Sequence, residues 1–241
     1  FVISRYGGMG YFQEQLLAAF PTFIETIESR FADFDYHIMV IDGDPYWGLS
    51  TCDEQCPTPG EGLCTVKDYP CAYMPSTCDT TMGAGVVFPA GGQASNKMCK
   101  IDGGRRYMAK GQTELEKTFA CVAQLGMSGN AQVGEALATA MKPAINGGGG
   151  CNDGFLREDA LLMVTLMSNA YDIEGAPTGS GGSPGTWTAA VRGAKGDDLE
   201  SVVILNLGGA IVPGCHAKDR ICQMLEDFPH ALNHELADDK L

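Results

Sequence analysis

The chain has 241 residues and a formal net charge of −14, from 30 acidic and 16 basic side chains. This length accommodates one large domain or two small ones. A surface this acidic repels phosphate backbones and anionic lipid, which argues against nucleic acid as a partner. No apolar run approaches the roughly 18 residues of a membrane-spanning helix, and no signal peptide is visible.

The first thirty residues predict a strand, a glycine-bearing turn and a long helix. Residues 1–3 are apolar, and residues 4–10 carry three glycines. After this turn, apolar side chains recur at three- and four-residue spacings, which predicts a helix through Arg30, bent near Pro21. Such a unit is typical of the central strand of an α/β sheet, whose carboxyl end carries the site. Because the chain begins inside this strand, we expect that residues preceding Phe1 are missing from it.

A cysteine-rich segment follows a second predicted strand. Residues 36–41 form this strand, which ends at an acidic turn over residues 42–45. The segment from about 46 to 104 contains six of the ten cysteines. Their irregular spacing lacks the paired pattern of a zinc ribbon, so we interpret the segment as a disulfide-linked insertion made in an oxidising compartment. All ten cysteines are disulfide candidates: Cys52, Cys56, Cys64, Cys71, Cys78, Cys99, Cys121, Cys151, Cys215 and Cys222.

The pairing of these cysteines stays open at this point. Six cysteines allow 15 connectivities, so the pairs within the insertion do not follow from the sequence. Outside it, Cys121 and Cys151 bracket a predicted helix and are a candidate pair. Cys215 and Cys222 flank a short loop and are a second candidate pair.

The second half of the chain alternates helical and strand patterns. Helices are predicted over residues 111–125, 133–145, around 187–192 and from 219 toward 230. Residues 161–167 and 201–207 are near-continuous apolar runs, which are typical of strands buried on both faces. This alternation predicts one α/β domain over residues 1–241 with a doubly wound, mostly parallel sheet.

Several segments in order resemble the von Willebrand factor A-type domains of secreted or lipid-anchored bacterial surface proteins. The resemblance covers almost the whole chain. It begins with the first strand, the glycine turn with Met9 and the amphipathic helix, and it continues with the Tyr-His-Ile strand and the cysteine-rich insertion. It extends through residues 119–125, 128–130, 154–157 and 161–167. The resemblance implies a three-layer α/β fold and a role in extracellular adhesion or assembly.

Domains of this family usually bind a divalent metal ion through an Asp-x-Ser-x-Ser motif after the first strand. A hard cation such as Mg²⁺ prefers oxygen ligands. The matching positions here are Ser4, Tyr6 and Gly8, and a later acidic position falls on Asn169. The resemblance therefore implies a degenerate adhesion site without a cofactor. Its partner-binding rim consists of Ser4, Tyr6, Gly8, Asn130 and Asn169.

Two alternatives belong to other classes: a metal-dependent adhesion domain, and an enzyme that is either dinucleotide-dependent or a zinc protease. A metal-dependent adhesion domain would recruit Ca²⁺ or Mg²⁺ through displaced ligands, for which Asp42, Asp44 and Asp172 are the candidates. A dinucleotide-dependent enzyme would need three glycines at fixed offsets, but Gln13 stands at the last position. A zinc protease would need Glu directly after His230, where the sequence has Ala231.

We therefore expect a non-enzymatic, metal-independent domain for protein–protein interaction or self-assembly, and a subunit of a surface assembly is one role it would serve. The expected location is extracellular, on the cell surface or periplasmic.

Overall fold

The structure is a computed structural model that describes residues 1–30, 32–44, 73–127, 129–176, 179–208 and 218–235. Much of the cysteine-rich insertion lies outside the described residues. So do five of the disulfide candidates, which are Cys52, Cys56, Cys64, Cys71 and Cys215.

A parallel sheet of five strands organises the described residues. The strands are β1 (Val2–Ile3), β3 (Ile41–Asp42), β5 (Leu162–Ser168), β6 (Val202–Gly208) and β7 (Ala231–Glu235). They lie in the order β3-β1-β5-β6-β7, and all neighbouring pairs are parallel. A small antiparallel pair joins β2 (His37–Ile38) to β4 (Met108–Ala109). The predicted α/β class with a mostly parallel sheet is confirmed.

Helices connect these strands. Within the described ranges they are α1 (Met9–Arg30), α2 (Leu115–Ala123), α3 (Val133–Ala140), α4 (Pro143–Asn146), α5 (Pro184–Ala194) and α6 (Arg220–Leu225). The start of α5 is encoded locally: the Ser183 side chain accepts the Thr186 N–H, and the Thr186 hydroxyl accepts the Ser183 N–H. This reciprocal cap satisfies two backbone donors that the first helical turn leaves without partners.

Apolar side chains form two buried clusters, and strand residues alternate between them. In β1, Val2 belongs to one cluster and Ile3 to the other, and Leu166 and Met167 of β5 divide in the same way. Because successive side chains of a strand point to opposite faces, the clusters lie on opposite faces of the sheet. The first includes residues of α3, α5 and α6, and the second includes residues of α1 and α2.

Two disulfides link segments that are distant in sequence. Cys78 pairs with Cys151, and Cys99 pairs with Cys121. The predicted Cys121–Cys151 pair is therefore wrong, because each of these cysteines has a partner from the insertion. Cys222 is also disulfide-bonded.

Removing the Cys99–Cys121 disulfide by the double substitution Cys99→Ala/Cys121→Ala should lower the free energy of unfolding by about 3 kcal/mol. The two residues are 22 positions apart, and opening a loop of this length returns about that much chain entropy to the unfolded state. Urea unfolding without reductant measures the change. The neighbouring substitution Met98→Ala, at an exposed site, is the control. A loss below about 1 kcal/mol would contradict a stabilising role for this bridge.

Several predicted elements have different boundaries. The helix predicted over residues 111–125 spans only Leu115–Ala123. The strand over residues 36–41 is divided, since His37–Ile38 pairs with β4 and Ile41–Asp42 pairs with β1. The helix over residues 133–145 ends at Ala140, and α4 begins anew at Pro143 after an extended Lys142. A proline at this point lacks the N–H that a continuous helix needs.

The last predicted helix is also shorter than expected. It ends at Leu225, and Ala231–Glu235 is a strand that pairs with β6. His230 and His234 therefore do not share a helix face. None of the described helices combines the length and apolar character that crossing a membrane requires.

Candidate functional site

The carboxyl ends of β1, β3 and β5 meet at one edge of the sheet. Ile3 is in register with Asp42 on one side and with Met167 on the other. The chain runs from β1 to β3 on one side and later to β5 on the other, and such changes of direction create ligand crevices in parallel sheets. We call this region the carboxyl rim, which comprises residues 4–10, 42–44, 129–130 and 168–169.

Ser4 and Tyr6 have different environments in the carboxyl rim. Ser4 is completely buried, and its N–H donates to the carbonyl of Met167 at 2.8 Å. The Ser4 hydroxyl oxygen accepts the N–H of Tyr6 at 3.0 Å. Ser4 therefore shapes the turn and offers no surface to a partner. Tyr6 is 39% exposed and does face solvent.

Arg5 is the residue that sequence reasoning missed. It is only 1% exposed, and its Nη1 lies 3.1 Å from Oδ2 of Asp42. Its Nη2 donates to the carbonyl of Ala90 at 2.9 Å. A guanidinium ion thus occupies the interior of the carboxyl rim and contacts one of the carboxylates proposed for a metal ion.

The environment of Asp42 favours the neutral form of its carboxyl group. Burial and, to a smaller extent, the neighbouring charge of Asp44 raise the pKa of Asp42, whose net value is about 6. The charge of Arg5 and the hydrogen bond from the Asp44 N–H act in the opposite direction. That N–H donates to Oδ1 of Asp42 at 2.8 Å. Both carboxylate oxygens of Asp42 therefore have protein partners.

Asp44 is held by the loop that carries Asn130. Its Oδ2 accepts the N–H of Asn130 at 2.9 Å. A Cβ atom on Gly129 would lie 1.9 Å from the same oxygen, so the close approach of Asp44 requires glycine there. Arg5 completes the connection, since its N–H donates to the carbonyl of Asn130 at 3.2 Å and its carbonyl accepts the Gly129 N–H at 3.1 Å.

Asn169 reaches across the rim to the glycine turn. Its Nδ2 donates to the carbonyl of Gly7 at 2.7 Å. Gly8 has a φ of +90°, a conformation that favours glycine, and a Cβ there would lie 2.9 Å from Asn169 Nδ2. The Oδ1 atom of Asn169 is buried and has no hydrogen-bond partner among the described residues. The close contact between Gly8 and Asn169 therefore depends on both residues, and the Oδ1 atom of Asn169 is the acceptor that has no partner among the described residues.

Asp172 belongs to a separate buried ion pair. It is 1% exposed and accepts from Nε of Arg220 at 2.8 Å and from Nη2 of the same side chain. It also accepts the N–H of Ser180 at 3.0 Å. The guanidinium lies over the ring of Trp187, 5.1 Å from its centroid. These contacts explain Asp172 as a structural residue.

Gln13 connects the first helix to the rim. It is buried, its Nε2 donates to the carbonyl of Gly126 at 3.0 Å, and its Oε1 accepts the Gly126 N–H at 3.0 Å. The side chain thus fills the space beside the turn, where the dinucleotide motif would have its last glycine.

A cavity of about 30 Å³ is lined in part by the Arg5–Asp42 ion pair. This volume holds one or two water molecules and excludes an organic ligand. Its charged lining residues are Arg5, Asp42, Asp44, Asp79 and Arg106.

The position of Arg5 has a sequence signal in retrospect. It directly follows an apolar strand, and Asp42-Gly43-Asp44 ends the next strand along the chain. The carboxyl ends of adjacent parallel strands meet, so opposite charges at these two places are expected to pair. Among the residues that the structure describes, no three His, Cys, Asp or Glu side chains cluster closely enough to share a metal ion.

The comparisons with known proteins add no assignment: no protein-family model, no curated protein and no solved structure matches this chain.

Proposed function

We propose that this chain is a von Willebrand factor A-type domain in which an internal ion pair stands where the family places its metal ion. Its function is metal-independent interaction with a protein partner, or self-assembly, outside the cytoplasm. The interaction surface is the exposed part of the carboxyl rim, around Tyr6 and Asn169.

The strand order and the core support a three-layer, doubly wound arrangement. In the order β3-β1-β5-β6-β7, the chain proceeds from β1 first to β3 on one side and later to β5 on the other side. Buried clusters on both faces of the sheet include residues of helices on each side. Helices on both faces of a parallel sheet are the arrangement that a doubly wound fold requires.

One observation carries the proposed metal independence: Arg5 is buried against Asp42 at 3.1 Å. A guanidinium at this distance compensates the negative charge of a carboxylate that would otherwise serve as a ligand for a metal cation. Asp44 is bonded to the Asn130 N–H, and Asp172 is bonded to Arg220. The three acids that the alternative proposal would use are therefore all engaged by the protein's own donors.

Exposed tyrosines at and beside the rim support an interaction role. Tyr6 of the rim is 39% exposed, and Tyr11, which follows the rim in the first turn of α1, is 45% exposed. Tyrosine side chains supply large contact areas at protein interfaces, with a hydroxyl for hydrogen bonding. The disulfides Cys78–Cys151 and Cys99–Cys121 are compatible with an extracellular or periplasmic location.

Site-specific photocrosslinking in the producing organism tests both parts of this proposal. With p-benzoylphenylalanine placed at Tyr6, we expect one defined protein adduct, and we expect its yield to stay unchanged when EDTA is added. The matched control places the same probe at Phe34, which is 65% exposed. An adduct that EDTA abolishes would favour the metal-dependent alternative. Equal adducts from Tyr6 and Phe34 would contradict a binding role for the rim.

A further inference from the structure

Asn146 is the only asparagine of this chain that a glycine follows, and more glycines come after Gly147. An Asn-Gly pair is especially prone to deamidation, because glycine has no side chain to obstruct attack on the side-chain amide. Asn146 is the last residue of α4, and Gly147 is exposed. The pair is therefore a candidate site of spontaneous covalent modification, and the local structure decides when the reaction occurs.

The structure holds the attacking nitrogen away from the amide. The N–H of Gly147 donates to the carbonyl of Pro143 at 2.8 Å, and this bond closes the end of α4. Deamidation requires the same nitrogen to leave that carbonyl and approach Cγ of Asn146. A closed α4 therefore blocks the reaction.

The side chain of Asn146 joins α4 to the end of α3. Its Nδ2 donates to the carbonyl of Ala140 at 2.5 Å and to the carbonyl of Lys142 at 3.1 Å. Ala140 is the last residue of α3, and carbonyls at a helix end lack partners within the helix. The Oδ1 atom of Asn146 is buried and has no hydrogen-bond partner among the described residues. The two hydrogens on Nδ2 thus provide the link between the helices.

A carboxylate at position 146 does not support these contacts. It has no hydrogen to donate, so the oxygen that replaces Nδ2 would face the carbonyl oxygens of Ala140 and Lys142. The other oxygen would take the buried Oδ1 position, for which no described residue supplies a donor. Burying a charge without hydrogen-bond partners is unfavourable. The closed form therefore accommodates asparagine and disfavours its deamidation product.

The segment that carries Asn146 has the features of a region that opens locally. The helix α4 has four residues, of which Ile145 alone is buried, while Pro143 and Ala144 are exposed. A helix this short, with little buried surface, opens at a lower cost than the strands of the sheet. The Cys78–Cys151 disulfide holds the chain shortly after the glycines, so such an opening stays local.

We propose that Asn146 is a conformation-gated modification site, whose amide survives while α4 is closed and is lost when α4 opens. In the open segment the backbone nitrogen of Gly147 forms a bond to Cγ of Asn146, and ammonia leaves with the proton from that nitrogen. Water then opens the cyclic imide at either carbonyl, which yields aspartate or isoaspartate. The product prevents α4 from closing again, so the chain keeps a permanent record of the opening. This site is separate from the carboxyl rim and does not depend on the function proposed for it.

Peptide mapping by mass spectrometry tests the gate. The purified protein is incubated in mildly alkaline buffer with and without guanidinium chloride, and the conversion of Asn146 is followed. We expect the conversion to be at least about tenfold slower in the folded protein, since its rate scales with the open fraction. Gly147→Ala should slow the conversion of the unfolded chain at least about tenfold, which identifies the reacting pair.

Two matched substitutions separate opening of α4 from general loosening of the fold. Ala144→Gly, at an exposed position of α4, should speed the conversion in the folded protein about threefold to fivefold, because glycine weakens a helix. Ala189→Gly makes the same change at an exposed position of α5 and should leave the rate unchanged. Equal rates in the folded and unfolded protein, or equal effects of the two substitutions, would overturn the proposed gate.

Asn146→Asp supplies one product directly and tests whether it keeps α4 open. We expect amide hydrogen exchange over residues 143–147 to be at least about tenfold faster than in the unmodified protein. Exchange over β5 should stay the same, which verifies that the sheet is intact. Unchanged exchange over residues 143–147 would overturn the claim that the product prevents closing.

Discussion

Replacing Arg5 with methionine should lower the free energy of unfolding at pH 7 by about 3 kcal/mol, because it leaves the carboxylate of Asp42 buried without its cation. The Arg5 side chain is 1% exposed and that of Asp42 is 22% exposed, so water reaches Asp42 only in part, and we place the loss at the lower end of the range for a broken buried ion pair. The substitution also removes the donor to the Ala90 carbonyl. Urea unfolding measures the change, and Arg192→Met, at an exposed position near the end of α5, is the control.

The Arg5→Met effect should depend on pH in a defined direction. The pKa of Asp42 is about 6 in the folded protein against an ordinary value of 3.8, so folding promotes proton uptake between these values. The stability contributed by this proton is complete below about pH 4 and is lost as the pH rises through 6. Near pH 4.5 Asp42 is mostly neutral, so removing Arg5 then leaves no negative charge without its partner. We expect a smaller loss at pH 4.5 than at pH 7. Equal losses at both values would contradict this account.

Replacing Asp172 with asparagine should lower the free energy of unfolding by about 3–5 kcal/mol, because the charge of Arg220 then stays buried without compensation. Both side chains are less than one-tenth exposed. Urea unfolding again measures the loss. Glu174→Gln, an exposed acid in the same loop, should change stability by less than about 0.5 kcal/mol.

A double variant identifies the cause of the Asp172 effect. Because Asp172→Asn/Arg220→Met removes both charges, we expect it to be more stable than the sum of the two single losses predicts, by about 1–3 kcal/mol. The loss of stability caused by Asp172→Asn alone should be equal with and without EDTA, since the partner of Asp172 is a guanidinium. Additive losses, or a loss that occurs only without EDTA, would contradict the structural role assigned to this residue.

The regular elements followed from local sequence where one pattern dominated. The apolar run over residues 161–167 corresponds to β5 (Leu162–Ser168), since a strand buried on both faces needs apolar residues at consecutive positions. The long amphipathic pattern corresponds to α1 (Met9–Arg30). Residues 231–235 carry no such pattern, and they form β7 because β6 offers backbone groups for pairing.

The candidate site followed from the sequence only in its location. The sequence predicted a glycine turn after the first strand, and Gly8 does adopt a left-handed backbone there. The exposure of Tyr6 and the burial of Ser4 depend on how β5 and the loop at Asn130 pack against the turn. Local patterns do not determine such packing between segments that lie far apart in the chain.

By itself, the sequence determined the acidic charge, the α/β alternation, the presence of disulfides and the glycine-bearing turn at the rim, because each depends on composition or on neighbouring residues. Tertiary structure alone decided which groups meet. Arg5 and Asp42 are 37 residues apart, and Cys78 and Cys151 are 73 residues apart. The register of parallel strands brings the first pair together, and the folded path of the chain brings the second pair together. Contacts over such separations depend on the whole packed sheet and its helices, which no local pattern specifies.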